Sequence, residues 1–142
     1  MTKPLALDSG PLGRIAHPRP NAEIALWLEG LVRRDRVVYL PEIADYEVRR
    51  NFLLEGLTGS ISRLDELKTL LIYLPLTTEM MLKAAELWAS ARKLGFPTAD
   101  PKVLDGDAIL AAQALAVDAV VATENVAHLS RMVEALNWRD IR

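Results

Sequence analysis

The sequence has no cysteine. That excludes disulfides, thiolate metal sites and a cysteine nucleophile, and it fits a cytoplasmic location. Histidine is nearly as scarce, with two in 142 residues. His17 lies in a proline-rich turn and reads as a surface residue, and His128 has no second histidine at ligand spacing, so a histidine-bound zinc is not expected. No apolar run approaches the ~20 residues of a membrane span, and Asp8 breaks the short apolar run after Met1, so no secretory leader core is expected. Positive charge is not in excess: 17 Lys and Arg stand against 19 Asp and Glu, for a net charge of −2. A protein that grips nucleic acid by bulk charge is excluded, although local patches such as Arg33, Arg34, Arg36, Arg49 and Arg50 remain. There is no glycine-rich phosphate loop, no G-x-S-x-G serine element, no internal repeat and no low-complexity segment.

What the chain does have is apolar content, 51% of residues, enough for one domain with a real core over 1–142. Short apolar runs read as strands at 5–7, 37–40, 70–74 and 119–122, with an edge strand over 138–141. Between them run helical patterns. One covers 22–32 behind an Asn21 cap, and one starts at Pro41 and stops at Gly56. A short one follows Ser60 over 61–68, and another begins at Thr77 or Thr78 and ends at Gly95. A loop is expected over 97–103, then a helix that starts at Asp105-Gly106-Asp107 and runs to about 117, and a last one over 126–136. Asp8-Ser9-Gly10-Pro11 reads as a turn. In the helix after Pro41, Ile43, Tyr46, Leu53, Leu54 and Leu57 form the expected inward stripe, with Glu47 and Arg50 on or beside it and Glu42, Asp45 and Arg49 facing away. Met80, Met81 and the three tryptophans read as core or interface packing.

Alternating strands and helices imply an α/β fold, a three-layer α/β/α sandwich with a mostly parallel central sheet. In such a fold the end of a strand and the start of the helix that follows share one edge. Asp8 and Asn125 follow strands, Glu47 lies early in a helix after a strand, and Asp105 and Asp107 open a helix that leads back to one. All five therefore collect at the carboxyl edge, where open α/β sheets place their sites. Taken singly, each has a structural alternative. Asp8 serves a turn, Asp105 caps a helix, Asp107 complements a helix dipole, Glu47 pairs with Arg49 or Arg50, and Asn125 caps the next helix. Taken together, converging carboxylates repel unless some stay protonated or a hard divalent cation joins them.

Four segments occur in the order Leu7-Asp8-Ser9-Gly10-Pro11-Leu12, Tyr46-Glu47-Val48-Arg49-Arg50, Asp107-Ala108-Ile109-Leu110-Ala111-Ala112 and Val121-Ala122-Thr123-Glu124-Asn125. Over nearly the whole chain this order and spacing resembles the PIN domain, and within it the small VapC toxins of toxin–antitoxin systems. The resemblance implies a compact α/β/α endoribonuclease that uses Mg²⁺ or Mn²⁺. It places the metal and catalytic roles on Asp8, Glu47 and Asp107, with Asn125 at the fourth position, directly or through water, and Asp105 as a further carboxylate ranked below Asp107. The fourth position is often Asp in that family, and the residue that often follows, Asp or Phe, is replaced here by Ala127-His128-Leu129. The resemblance further implies an RNA substrate, a small antitoxin partner and a homodimer. Thr123, and less directly Ser9, are expected to orient a carboxylate or a phosphate oxygen through their hydroxyls. Alternatives are a PIN-fold RNA-binding module with weak cleavage and an RNA-processing nuclease without an antitoxin. A phospho-acceptor receiver domain fits less well, since the first strand lacks a paired acid and no lysine follows Val121-Ala122-Thr123.

Overall fold

A computed structural model describes residues 2–19, 21–95 and 101–142. Its centre is a five-stranded parallel sheet in the order β3-β2-β1-β4-β5, formed by β1 (Leu5–Leu7), β2 (Val38–Pro41), β3 (Ile72–Leu74), β4 (Val120–Thr123) and β5 (Ala135–Asn137). β1 is in the middle, with Leu5 in register with Val38 on one side and Val120 on the other. All three β1 residues are buried, as parallel strands covered on both faces require.

Alternate side chains along the strands sort the helices into two layers. Leu5, Leu7, Val38, Leu40, Val120 and Ala122 pack into the core beneath α1 (Ser9–Ala16), α2 (Ala22–Arg33), α3 (Glu42–Glu55) and α4 (Thr58–Leu70). Ala6, Val121 and Ala135 face the opposite core, built on α6 (Pro101–Ala116) and the short α7 (Val126–Leu129). There α5 (Thr78–Lys93) lies on α6 through Ala84, Ala108 and Ala112. Small side chains let these two helices approach closely. This is the three-layer α/β/α arrangement expected. No helix among the described residues is long and apolar enough to cross a membrane.

Local signals explain most boundaries. Asn21 caps α2 by accepting the Glu23 N–H at 2.8 Å, and Thr77 caps α5 by accepting the Met80 N–H at 3.1 Å. Gly56 closes α3 in the left-handed region at φ 70°, which glycine adopts without steric cost.

Six expectations are corrected. The segment after Asp8 is helical, because the carboxylate caps it and Leu12 and Ile15 are buried beneath it; Pro11 is tolerated in the first turn. The inward face of α3 is Ile43, Ala44, Val48 and Phe52 together with Asp45, while Tyr46, Leu53 and Leu54 are exposed. Asp45 is buried because Arg49 reaches it at 2.9 Å and Lys68 lies 4.0 Å away. Leu57, not Ser60, occupies the N-cap of α4, and Ser60 is buried within it. α6 begins at Pro101, so Asp105 and Asp107 lie inside the helix rather than at its start. The expected loop lies outside the described residues up to position 100; from 101 the backbone is helical. At the C-terminal end, helix stops at Leu129 and the sheet gains β5, while Trp138–Asp140 form a 3-10 turn rather than a strand.

Candidate active site

The carboxyl ends of β1 and β4 are tied together by one acid. Asp8 accepts the Ser9 N–H on Oδ1 at 2.7 Å, and the Thr123 hydroxyl donates to Oδ2 at 2.7 Å. Thr123 is fully buried at the end of β4, and its oxygen accepts the Asn125 N–H at 2.9 Å. The backbone adds a bond from the Asp8 N–H to the Ala122 carbonyl at 3.0 Å. Asp8 is thus held in one orientation by fixed donors, and its remaining lone pairs stay open to a further ligand.

Glu47 comes from α3, half-buried. Burial pushes its carboxyl above the ordinary carboxylate range; the negative charges of Asp8 and Asp107 push the same way, while Arg50 opposes them. The Arg50 guanidinium stands 3.9 Å from Glu47, too far for a tight pair. Arg49 is committed elsewhere, to Asp45 at 2.9 Å and Asp65 at 2.6 Å. Glu47 faces the backbone of α6. A Cβ added at Gly106 would stand 2.9 Å from Glu47 Oε2. Glycine inside a helix costs about 1 kcal/mol relative to alanine. The space it leaves is where the Glu47 carboxylate sits.

Asp107 is the most perturbed of the three. Burial, and then the charge of Asp8, push its carboxyl up to about 6. Its Oδ2 is buried without a hydrogen-bond partner among the described residues. Being inside α6 rather than in its first turn, Asp107 gains little from the helix dipole, which acts over the terminal turn. The reading of Asp107 as an acid at a helix start that complements the dipole is therefore corrected.

Asp8, Glu47 and Asp107 are thus brought together from β1, α3 and α6. Asp105 is exposed, sits two residues and so about 200° around α6 from Asp107, and exerts no charge effect on Glu47 or Asp107. Asn125 occupies the N-cap position of α7 but makes no side-chain cap bond, and it is exposed beside Thr123. As the side chains stand, no three His, Asp or Glu groups among the described residues are close enough to hold a metal ion. The chemistry of the donors nevertheless suits a hard cation. Two carboxyls whose proton affinity is raised by burial and by a neighbouring acid, one of them with a buried and unpartnered oxygen, are groups whose charge a divalent ion would offset.

Three residues with structural roles around the site were not foreseen. Glu124 binds Arg14 at 2.7 Å and accepts the Trp138 indole N–H at 3.0 Å, locking the exit of β4 to α1 and to the C-terminal turn. Gly106 makes room for Glu47, and a lone glycine inside the helical run Leu104–Ala112 was its signal. Gln113, a polar residue among alanines, is fully buried; it accepts the Ile43 N–H at 3.1 Å and donates to the Leu74 carbonyl at 2.8 Å. It therefore ties α6, which carries Asp107, to the start of α3, which carries Glu47.

No family model matches the sequence, and no curated protein matches it either. Solved structures do. A chain of VapBC2 from Rickettsia felis, crystallised bound to a DNA fragment from their promoter, aligns at 18% identity over 94% of this chain and 98% of that one, with a TM-score of 0.77. FitAcB from Neisseria gonorrhoeae aligns at 24% identity over 96% and 99%, with a TM-score of 0.68. VapBC-1 from nontypeable Haemophilus influenzae aligns at 20% identity over 96% and 98%, again with a TM-score of 0.68. The α/β/α fold that the resemblance to the PIN domain implied is thus shared, from end to end, with chains of the VapBC and FitAB complexes.

Proposed function

We propose that the protein is a Mg²⁺- or Mn²⁺-dependent endoribonuclease and the toxin of a toxin–antitoxin pair. The observation that carries this reading is the convergence of Asp8, Glu47 and Asp107 from three elements, two of them with raised proton affinity and one with a buried, unpartnered oxygen. The fold shared with chains of VapBC and FitAB complexes supports the toxin half. Asp8, Glu47 and Asp107 would hold the ion, with Asn125 completing its shell directly or through water; Asp105, on another face of α6, is the weakest of the acids named. When bound, the ion supplies a water acidic enough to attack a phosphodiester and offsets charge on the phosphate oxygens. The chain's own part is orientation. Thr123 and the Ser9 N–H fix the plane of the Asp8 carboxylate. Gly106 fixes how close Glu47 approaches α6. The buried Oδ2 of Asp107 has no competing hydrogen bond among the described residues, which leaves it for a ligand. A small antitoxin and a second copy of the chain are the proposed partners, in the cytoplasm; exposed Tyr46, Leu53 and Leu54 on α3 offer apolar surface for such contacts.

The decisive measurement is cleavage of mixed structured RNAs by the purified protein, with Mn²⁺ or Mg²⁺ and with EDTA. Cleavage is expected only with the metal, and cleavage that persists in EDTA would sink the nuclease reading. Metal binding with no RNA cut favours the second reading, a PIN-fold RNA-binding module, whose motive is the neutral Asn125 where an acid is common. For the toxin half, expression is expected to arrest growth, and a small protein encoded alongside to relieve it. Metal-dependent cleavage without growth arrest points instead to an RNA-processing nuclease with no antitoxin.

Gly106→Ala gives a finer test. Helix propensity predicts a thermal midpoint equal to or above that of the parent. The added Cβ pushes the Glu47 carboxylate aside, so Mn²⁺ affinity by calorimetry falls about tenfold or more, as when a ligand's support is lost. Adding Glu47→Asp, whose shorter side chain avoids the Cβ, is expected to restore part of that affinity. Unchanged Mn²⁺ binding in Gly106→Ala would remove Gly106 from the site.

A further inference from the structure

A cleft of about 380 Å³ runs between α2 and the turn at Trp138–Asp140, and Asp8, Glu47 and Asp107 take no part in it. Sites for small molecules span roughly 300–1,000 Å³.

One wall is aromatic. The Trp27 indole N–H donates to the Ile141 carbonyl at 2.9 Å, which holds the ring in place and pins the C-terminal segment to α2. The Trp27 ring meets that of Trp138, with centroids 5.5 Å apart and planes inclined at 58°. Trp138 is closed off, since it is 1% exposed and the Arg139 guanidinium covers its ring at 4.4 Å. Trp27 is only half-buried, so its ring is the one that the cleft offers to a ligand.

The rest of the lining is mostly cationic. Three guanidiniums, those of Arg34, Arg139 and Arg142, face one carboxylate, Glu23. Arg139 is engaged by Glu23 at 3.4 Å. Arg34 and Arg142 make no ion pair among the described residues. In a chain of net charge −2 this is a local excess of positive charge. Both arginines are placed by neighbours. Arg36 anchors the Arg142 backbone, donating to its carbonyl at 2.8 Å and to that of Lys3 at 3.2 Å. Gly30 makes room for the Arg34 head group. It sits inside α2 without a positive φ, where alanine would suit the helix better. A Cβ added there would have the Arg34 guanidinium as its nearest neighbour, with Nη1 at 3.4 Å. The guanidinium thus lies against bare helix backbone within the cleft.

These groups define a ligand. Guanidiniums only donate hydrogen bonds, so the cleft calls for an anion rich in acceptors. The Trp27 face calls for a flat ring. A bare anion leaves the indole unused, and a neutral ring leaves two guanidiniums unpaired. A partner helix needs a longer apolar track than Leu26 and Trp27 supply. We propose that this cleft binds a free nucleoside phosphate, its base against Trp27 and its phosphate on Arg34 and Arg142. The proposal does not rest on the nuclease reading.

The test is titration of AMP and of GMP into the purified protein in EDTA, followed by calorimetry and by tryptophan fluorescence, with adenosine and inorganic phosphate as partial ligands. EDTA removes any ion that would draw a phosphate to the acid cluster. A nucleotide is expected to change the tryptophan emission and to bind about tenfold or more tightly than adenosine or phosphate alone. Raising the salt concentration is expected to weaken it. Arg34→Gln, at an exposed position, leaves all three tryptophans in place and is expected to weaken nucleotide binding about tenfold. Gly30→Leu fills the cleft while improving helix propensity, and is expected to abolish binding without lowering the thermal midpoint. Absence of binding by both nucleotides, binding no tighter than that of phosphate or adenosine, or unchanged affinity in both variants overturns the proposal. So does nucleotide binding that requires Mn²⁺, which places the ligand at the acid cluster, and so does an acidic peptide that occupies the cleft where nucleotides do not. No arm depends on RNA cleavage, so failure of the nuclease reading leaves the result intact.

Discussion

Asp107→Asn is expected to do two opposite things: cut metal-dependent RNA cleavage by about a hundredfold or more, and stabilise the metal-free protein at neutral pH. The first follows from losing a carboxylate that would face the ion, an interaction of several kcal/mol, with each 1.36 kcal/mol worth a factor of ten in rate. The second follows from the present state of the group. The folded Asp107 carboxyl is pushed up to about 6 against an ordinary 3.8. Between those values the folded chain holds a proton that the unfolded chain has released. Folding stability therefore falls as pH rises through that window. Asp107 is partly exposed, so the full shift overstates the effect, and a loss of roughly 1–2 kcal/mol is the discounted expectation. Glu47, also raised, tilts the slope the same way. In Asp107→Asn the amide carries no charge, and most of that slope disappears. Urea midpoints in EDTA at pH 4.5 and 7.5 would measure it. A parent protein equally stable at both, or a variant less stable than its parent at pH 7.5, contradicts the argument. Saturating Mn²⁺ is expected to raise the parent's midpoint far more than the variant's, since only the state that binds the ion is stabilised.

The largest expected loss of stability lies away from the acids. Gln113→Leu keeps the volume but leaves the buried Ile43 N–H and the half-buried Leu74 carbonyl without their side-chain partner. Each such group costs about 1–3 kcal/mol, so the pair amounts to roughly 2–5 kcal/mol out of a typical 5–15. The thermal midpoint is expected to fall by roughly 10 °C. Gln113→Glu adds a directional check. A protonated glutamic acid can still donate to the Leu74 carbonyl, whereas a carboxylate cannot. That variant is expected to be closest to its parent in acid and furthest from it at neutral pH. A Gln113→Leu protein as stable as its parent would show that water or a local shift satisfies both backbone groups.

How much of this was legible beforehand depends on where the determining contact lies. The buried strands were read correctly to within a residue or two because short apolar runs such as Leu5-Ala6-Leu7 and Val120-Val121-Ala122 have only one environment that suits them. The caps at Asn21 and Thr77 and the stop at Gly56 were legible because their chemistry is local. Helix α1 was not, since Ser9-Gly10-Pro11 is turn-like and only burial of Leu12 and Ile15 against other segments makes it a helix. The face of α3 was misjudged because Tyr46, Leu53 and Leu54 outweigh Ala44 in apolar bulk, while the sheet beneath admits the smaller residue. The segment after Asn125 has a helical pattern, yet an open sheet edge beside β4 recruits Ala135–Asn137 as a strand. Of the candidate acids, Asp8, Glu47 and Asp107 lie near enough to feel one another's charge, as the shared edge of their segments implied. Asp105 was weighed with them because the true start of α6, four residues upstream, was hidden by the acidic Asp105-Gly106-Asp107 signal.

The central place of β1 has a consequence in time. Leu5 pairs with Val38 and also with Val120, so the sheet's middle strand waits for a partner more than a hundred residues away. Asp8 gets its Thr123 clamp only when that partner arrives. At about 5–20 residues per second of synthesis, the chain spends several seconds on the ribosome with its carboxylates apart. Whatever chemistry the cluster performs cannot begin until Thr123 has been made and β4 has joined β1.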